Sequence, residues 1–193
     1  MKTLIAYSGG NATFLRRLET MFKPGVYSGN DAYGNTIFNP GNEPSFTTPY
    51  LFNYVGRQDL SVKYSRNIAK SYYNAGAGGL PGNSDAGAMQ TWILWNMIGL
   101  YPITGQTTFL IGSPWIEQMK IESGNGRSLN VTTCGGDAEN AFYVQSLKVN
   151  GAAWDKSWLT WSDVFEKGGS MEFVLGAEPV VWATGPPPPS PAS

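Results

Sequence analysis

The sequence predicts an α-then-β chain, and two changes of pattern along its 193 residues predict it. Up to about residue 105, apolar side chains recur every three or four positions between glycine-rich loops, the spacing of helices with one buried face. From Thr107 onward the spacing shortens to alternation over brief runs separated by Asn-Gly and Gly-Gly pairs, the pattern of hairpin-linked strands. The last stretch, 185–193, is almost entirely Pro and Ser and reads as a disordered or polyproline II tail. The expected organisation is therefore a helical part over 1–105, a β segment over 106–184 and a tail over 185–193.

In the helical part, Asn11 reads as the N-cap of a helix whose apolar stripe is Phe14, Leu15, Leu18, Met21 and Phe22 and which stops at Pro24. Residues 25–41, rich in Gly, Asn and Asp and holding Asp31, read as loop. Thr48-Pro49 opens a second helix, with threonine as cap and proline at the first helical position. A third runs over 59–74 with Leu60, Tyr64, Ile68 and Tyr72 on one face. The fourth, 86–100, is apolar on nearly every side and is expected to be buried. Candidate strands follow at 108–112, 118–123, 128–133, 142–149 and 170–176, with turns at Asn125-Gly126, Gly135-Gly136 and Asn150-Gly151. Residues 161–165 read as a short helical turn before Gly168-Gly169, and no internal repeat is visible.

Composition narrows the chemistry. Aromatic residues make up 13% of the chain and include seven Trp, while only 14% is charged, against a usual value of about 25%. That profile fits a large buried or ligand-facing aromatic surface, and core packing accounts for most of the Trp. A net charge of −1 without a Lys/Arg cluster leaves no electrostatic footprint for nucleic acid. No apolar run approaches a membrane span, and residues 4–7 are too few for the core of a secretory signal. Histidine is absent, which excludes Ser-His-Asp and Cys-His catalysis and His-ligated zinc or iron. Cys134 is the only cysteine, so an intrachain disulfide and a thiolate metal cluster are excluded too. Carboxylates, amides and hydroxyls remain: hard oxygen donors suited to calcium, and the working groups of glycosidases. Sequons at Asn11 and Asn130 are compatible with a secreted glycoprotein.

The most informative stretch is Gly79-Leu80-Pro81-Gly82-Asn83-Ser84-Asp85-Ala86-Gly87-Ala88-Met89-Gln90-Thr91-Trp92. Pro81 and the glycines make a tight exposed loop. Asn83, Ser84 and Asp85 are helix-capping residue types at the mouth of the apolar helix. Most carboxylates in such a place are plain caps. The alternative is an acid held rigidly beside whatever cavity the loop lines. By the same local chemistry, Asn42-Glu43-Pro44 reads as a turn before a helix.

The Gly79–Trp92 string closely resembles the signature of glycoside hydrolase family 92, the calcium-dependent exo-α-mannosidases. Ile98-Gly99-Leu100-Tyr101-Pro102 and Phe109-Leu110-Ile111-Gly112-Ser113-Pro114 are similar to the same family. So, upstream, are Gly41-Asn42-Glu43-Pro44 and Thr48-Pro49-Tyr50-Leu51-Phe52-Asn53-Tyr54. The resemblance implies that 1–105 is part of an (α/α)6 toroid catalytic domain, truncated at its N-terminus, and that 106–184 is a small C-terminal antiparallel β segment. It also implies that the chain is the C-terminal part of a longer, secreted protein, with residues 1–10 matching the interior of a helix that leads into a Gly-Gly turn.

For function, the resemblance implies removal of terminal α-linked mannose, mainly α-1,2, from glycoprotein glycans or mannans with inversion. Inversion takes an acid for the departing oxygen and a base for the incoming water, on opposite faces of the sugar. The family's base falls on Asp85, with Asn83 orienting the base or the water. Ser84 stands where an Asp is frequent, so one supporting acidic group is missing. Asn42 and Glu43 match the family's calcium ligands, with Gly41 adding a backbone carbonyl, and an amide oxygen beside a carboxylate is sound calcium chemistry. Phe46-Thr47-Thr48 lacks the histidines some members carry there. The family's general acid, a glutamate, belongs to a motif upstream of the region matched by residues 1–22 and has no counterpart here. Glu19, Asp31, Asp137, Glu139, Asp155, Asp163, Glu166 and Glu172 read as solvated or turn carboxylates. The alternative is a non-catalytic calcium- and mannose-binding fragment, or a purely structural piece completed by the remainder of its parent chain.

Overall fold

The computed structural model describes residues 1–27, 35–137 and 139–190; the expected loop carboxylate Asp31 lies outside them. The helical part contains α1 (Lys2–Tyr7), α2 (Asn11–Met21), α3 (Gln58–Tyr72) and α4 (Ala88–Ile98), with 3₁₀ segments at Glu43–Ser45, Thr48–Val55 and Asp85–Gly87. The expected stripe of α2 holds, Phe14 and Leu18 being buried, but Gly10 takes the N-cap position and the Asn11 side chain caps nothing. The Gly9-Gly10 turn delivers the chain into α2 with Asn11 already helical.

The second expected helix is a 3₁₀ segment with Thr47 rather than Thr48 before its first turn. Pro49, Tyr50, Phe52, Asn53 and Tyr54 are all buried, so the segment has no solvent-facing stripe. Distant partners hold it instead: Asn53 Nδ2 donates to the Ile111 carbonyl at 3.0 Å and to the Ser157 carbonyl at 2.8 Å. α4 starts two residues later than expected and ends at Gly99. Met89, Trp92, Asn96 and Ile98 are buried as an apolar helix should be, but Leu94 is 56% exposed.

All five expected strands form, as β2 (Thr108–Ile111), β3 (Gln118–Gly124), β4 (Arg127–Cys134), β5 (Tyr143–Val149) and β8 (Gly169–Gly176). Three further strands, β1 (Leu100–Pro102), β6 (Ala152–Trp154) and β7 (Trp158–Thr160), have three residues each, too few to show an alternation. The short helix α5 (Trp161–Val164) begins with a capping box, Asp163 accepting from the Thr160 N–H at 2.6 Å. One sheet has the order β1-β2-β7 and the other β3-β4-β8-β5-β6. The second sheet is not wholly antiparallel as expected: β8 runs parallel to β4 and antiparallel to β5. β4 and β5 point in opposite directions, so a strand inserted between them must be parallel to one.

The β1–β2 hairpin joins the two parts. Its register pairs Leu100 with Ile111 and Tyr101 with Leu110. Because side chains alternate across a strand, Leu100, Phe109 and Ile111 enter the β core with Leu129, Leu159 and Phe173. Tyr101 and Leu110 enter the helical core with Tyr50, Phe52 and Trp92. A boundary at 105/106 falls in the turn of this shared wall. Arg66 fastens the same junction: its Nη2 donates to the Pro114 carbonyl at 2.6 Å, and its guanidinium lies 4.8 Å from the Trp115 ring and 5.0 Å from the Phe142 ring. Burial lowers its pKa to about 10.

The tail corrects the disordered expectation over 185–190. Gly185 N–H donates to the Asp155 carbonyl at 2.8 Å, the Trp158 indole donates to the Pro186 carbonyl at 2.9 Å, and Pro188 is buried. Ser190 Oγ accepts from the Met1 amino group at 2.7 Å and from the Lys2 N–H at 3.0 Å. Lacking N–H donors, the prolines dock by their carbonyls and ring surfaces as a strap from β7 to α1. Residues 191–193 lie outside the described residues.

Candidate active site

Asn42 and Glu43 lie in the turn that leads from the 25–41 segment into the buried 3₁₀ helix. Asn42 is extended, and the Glu43–Ser45 turn winds behind it, with Ser45 N–H on the Asn42 carbonyl at 2.9 Å and Phe46 N–H on the Glu43 carbonyl at 3.0 Å. Asn42 is exposed, and its amide nitrogen faces Ser45 Oγ at 3.5 Å, which leaves its carbonyl oxygen free to accept. Glu43 is half-buried. Its Oε1 is fully shielded yet has no hydrogen-bond partner among the described residues. A buried carboxylate oxygen left alone is costly, and a hard cation is the partner that suits it. No group of three or more His, Cys, Asp or Glu side chains lies together among the described residues. An Asn–Glu pair is thus two donors of a shell that calcium completes with carbonyls, water or sugar hydroxyls. The residues present fit that ion.

Asn83 and Asp85 lie in the loop ahead of α4. The loop folds on itself, Asp85 N–H donating to the Asn83 carbonyl at 2.9 Å and Gly87 N–H to the Ser84 carbonyl at 3.2 Å. Ser84 Oγ hydrogen-bonds Gln90 Oε1 on the first turn of α4. Ala86 adopts φ 52°, a left-handed conformation costly for a residue with a Cβ. The helix-cap reading of Asp85 is not realised: Gly87 holds the N-cap position of α4, and no side chain caps it. Asp85 is exposed, and its carboxylate has no partner among the described residues.

The fold brings the two loops into contact. Gly82, at φ 64°, rests against Gly41; a Cβ there would overlap the Gly41 carbonyl oxygen and lie 2.7 Å from Gly41 Cα. Gly41 precedes Asn42 and Gly82 precedes Asn83, so both pairs of candidate residues leave one point of contact. A second tie runs beneath it, where the Trp92 indole of α4 donates to the Phe46 carbonyl at 3.1 Å. Sequence reading missed this pairing of Gly41 with Gly82; the one signal available was a glycine in the same position before each motif. The floor is held by Tyr101, whose hydroxyl is hydrogen-bonded to Thr47 Oγ1 at 2.8 Å, and by Asn96, which donates to the Tyr50 hydroxyl at 2.8 Å. Burial raises the pKa of both phenols, so both stay neutral.

Other polar groups take structural places. Asp137 accepts the Glu139 and Asn140 N–H groups at 2.7 and 2.6 Å, which lowers its pKa, and Glu139 pairs with Lys70 at 2.8 Å. Glu19 is half-buried rather than solvated, in the lining of a cavity of about 650 Å³ between α2 and α3 that none of Asn42, Glu43, Asn83 and Asp85 lines. The sequon residues Asn11 and Asn130 are exposed, Asn11 at the start of α2 and Asn130 inside β4 opposite Lys120.

The model of the glycosyl hydrolase family 92 catalytic domain matches residues 1–177. A protein of Arthroderma benhamiae described as an uncharacterized secreted glycosidase is 34% identical over 188 residues, covering 96% of this chain and 23% of that protein. Among solved structures, a family GH92 α-mannosidase of Bacteroides thetaiotaomicron in complex with mannoimidazole aligns at TM-score 0.86 and 30% identity, over 94% of this chain and 25% of the other. The family GH92 glycosyl hydrolase ccman5 aligns at 0.85 and 28% identity, over 98% and 28%. The fold is the one these relatives share, helices of a toroid followed by a small β domain. The chain belongs to glycosyl hydrolase family 92. It spans about a quarter of the length of the relatives it matches.

Proposed function

We propose that this chain carries the calcium and base side of an exo-acting α-mannosidase that removes terminal α-linked mannose, mainly α-1,2, from glycans with inversion. Asn42 and Glu43 hold the ion, Asp85 is the general base and Asn83 steadies the base or its water. The observation that carries this reading is the orphaned, shielded Glu43 Oε1 beside the Gly41–Gly82 contact. A bound calcium supplies a positive point on which two adjacent sugar hydroxyls can be oriented. Asp85, exposed and uncommitted to any cap, accepts the proton of a water held on the face opposite the leaving group. The Asn83 carbonyl accepts the Asp85 N–H, so the two residues are held in one tight turn.

The glutamate that protonates the leaving oxygen in the family has no match in this chain, so we place it in a segment of the parent protein outside these residues. On that reading the chain alone does not cleave an unactivated mannoside. Substrates are mannose-terminated glycans, and the secreted relative favours an extracellular parent.

The test is calcium titration of the chain and of Asn42→Ala and Glu43→Ala by calorimetry. The parent protein is assayed beside it on α-mannobiose with and without EDTA. Saturable calcium binding lost in both variants, with EDTA-sensitive cleavage of the disaccharide, is expected. Equal calcium affinity in wild type and both variants, or EDTA-insensitive cleavage, sinks the metal assignment. Calcium-dependent mannose binding by a parent protein that never turns over indicates a binding module instead.

A further inference from the structure

The turn that bears Glu43 is fixed at one end by a group that belongs to neither the metal pair nor the base loop. Phe46 closes that turn with its N–H on the Glu43 carbonyl at 3.0 Å, and its own carbonyl receives the Trp92 indole N–H at 3.1 Å. Trp92 is only 3% exposed and is gripped on several sides. Tyr73, at the end of α3, stacks on it at 5.3 Å, Tyr50 meets it edge-on at 6.4 Å, and Phe46 tilts against it at 6.1 Å. Its two χ angles are therefore locked by packing, and its one donor points at one acceptor.

We infer that Trp92 is a positioning residue for the Glu43 turn: its indole N–H holds the Phe46 peptide, and through it the Glu43 carboxylate, in the geometry that meets the ion. Trp92 is buried and acts through the Phe46 peptide rather than as a ligand. It links the two loops from below, since α4 follows directly on the Asp85 loop, and it complements the Gly41–Gly82 contact above. A phenyl ring would keep an aromatic side chain in the cluster, though a smaller one, and leave the Phe46 carbonyl unanswered. The consequence for metal binding rests on the calcium reading of Asn42 and Glu43; the strut itself does not.

Trp92→Phe tests this, with Trp95→Phe as the control. Trp95 is on the same helix but packs against Phe109 at 5.7 Å, on the β side. Two readouts are taken on the chain: hydrogen exchange of the Ser45 and Phe46 amides without metal, and calcium affinity by calorimetry. Losing one neutral hydrogen bond corresponds to about two- to tenfold. Trp92→Phe is expected to speed exchange at Phe46 and weaken calcium binding by that factor, and Trp95→Phe to do neither. Unchanged exchange at Phe46 overturns the strut, as does equal acceleration in both variants. Faster exchange with unaltered calcium affinity overturns its role toward the ion. Faster exchange in a chain whose wild type binds no calcium leaves the strut standing and removes the calcium reading instead.

Discussion

Replacing Gly82 by alanine probes the junction of the two loops more directly than any change to the candidate catalytic residues. Two costs arise, and the structure separates them. The first is conformational: at φ 64° an L-residue is destabilised by about 1–2 kcal/mol. The second is steric: the new methyl would lie 2.7 Å from Gly41 Cα and overlap its carbonyl oxygen. Both are main-chain atoms, so one loop must retreat, at the roughly 1–3 kcal/mol typical of forced overpacking. Gly56 is the matched control: its φ is 72°, and an added methyl there would meet nothing within 4 Å.

Gly56→Ala should therefore cost about 1–2 kcal/mol and Gly82→Ala about 2–5 kcal/mol. In a domain of this size each kcal/mol lowers Tm by about 2–4 °C, so scanning calorimetry resolves the gap. Calcium affinity should fall in Gly82→Ala and not in Gly56→Ala, because only the former displaces Gly41 and hence Asn42. If the two variants melt together and bind calcium alike, the loops do not rest on each other and the proposed site is wrong.

Asp85→Asn in the parent enzyme keeps the side-chain volume and removes the proton acceptor, so kcat should drop by about 10²–10⁴-fold with unaltered circular dichroism. Because Asp85 caps no helix, Asp85→Ala should leave stability within about 0.5 kcal/mol, a limit that a urea melt checks. After chelation, calcium should restore activity and zinc should do so poorly, since the donors are hard oxygens; equal rescue by zinc would count against an Asn–Glu site. Truncation after Thr184 removes the contacts at Asp155, Trp158, Met1 and Lys2. The melting temperature should fall, and α1 amides should exchange faster than those of β4.

Periodicity was informative where burial is one-sided. The stripe of α2 and the alternation of the longer strands follow from a face that meets a core and a face that meets water. Periodicity fails where a segment is buried on several sides, as in the 3₁₀ helix Thr48–Val55, whose winding is set by Asn53 reaching Ile111 and Ser157. It fails again in three-residue strands and in the parallel β4–β8 pair, which depends on the insertion of a strand remote in sequence. At the candidate site, residue types and order pointed to Asn42, Glu43, Asn83 and Asp85. The contact between their loops did not show, because a glycine's role in close approach depends on what lies opposite. The capping expectation for Asp85 failed for a local reason. Gly87, two residues on, takes the N-cap position, and the loop's hydrogen bonds close on its own backbone.

The β part belongs to the foundation of the site rather than to its surroundings. The turn that bears Glu43 passes directly into Thr47, which is bonded to Tyr101 of β1, and Tyr101 stacks on Tyr50 at 4.4 Å. Tyr101 is held by the β1–β2 register, and β2 is paired in turn with β7. Gln58, at the start of α3, binds the Ile111 and Gly112 carbonyls at 3.2 and 2.9 Å and accepts the Trp182 indole at 2.8 Å. Apart from the β1–β2 hairpin, these bonds join residues far apart in sequence, so their ordering entropy is offset only when both parts are folded. A metal ligand on a free turn would lose that entropy anew on every binding event, whereas one braced by a sheet and a buried helix has lost it already in folding. The small β module thus fixes, through Tyr101 and the β1–β2 register, the position of the turn that bears Glu43.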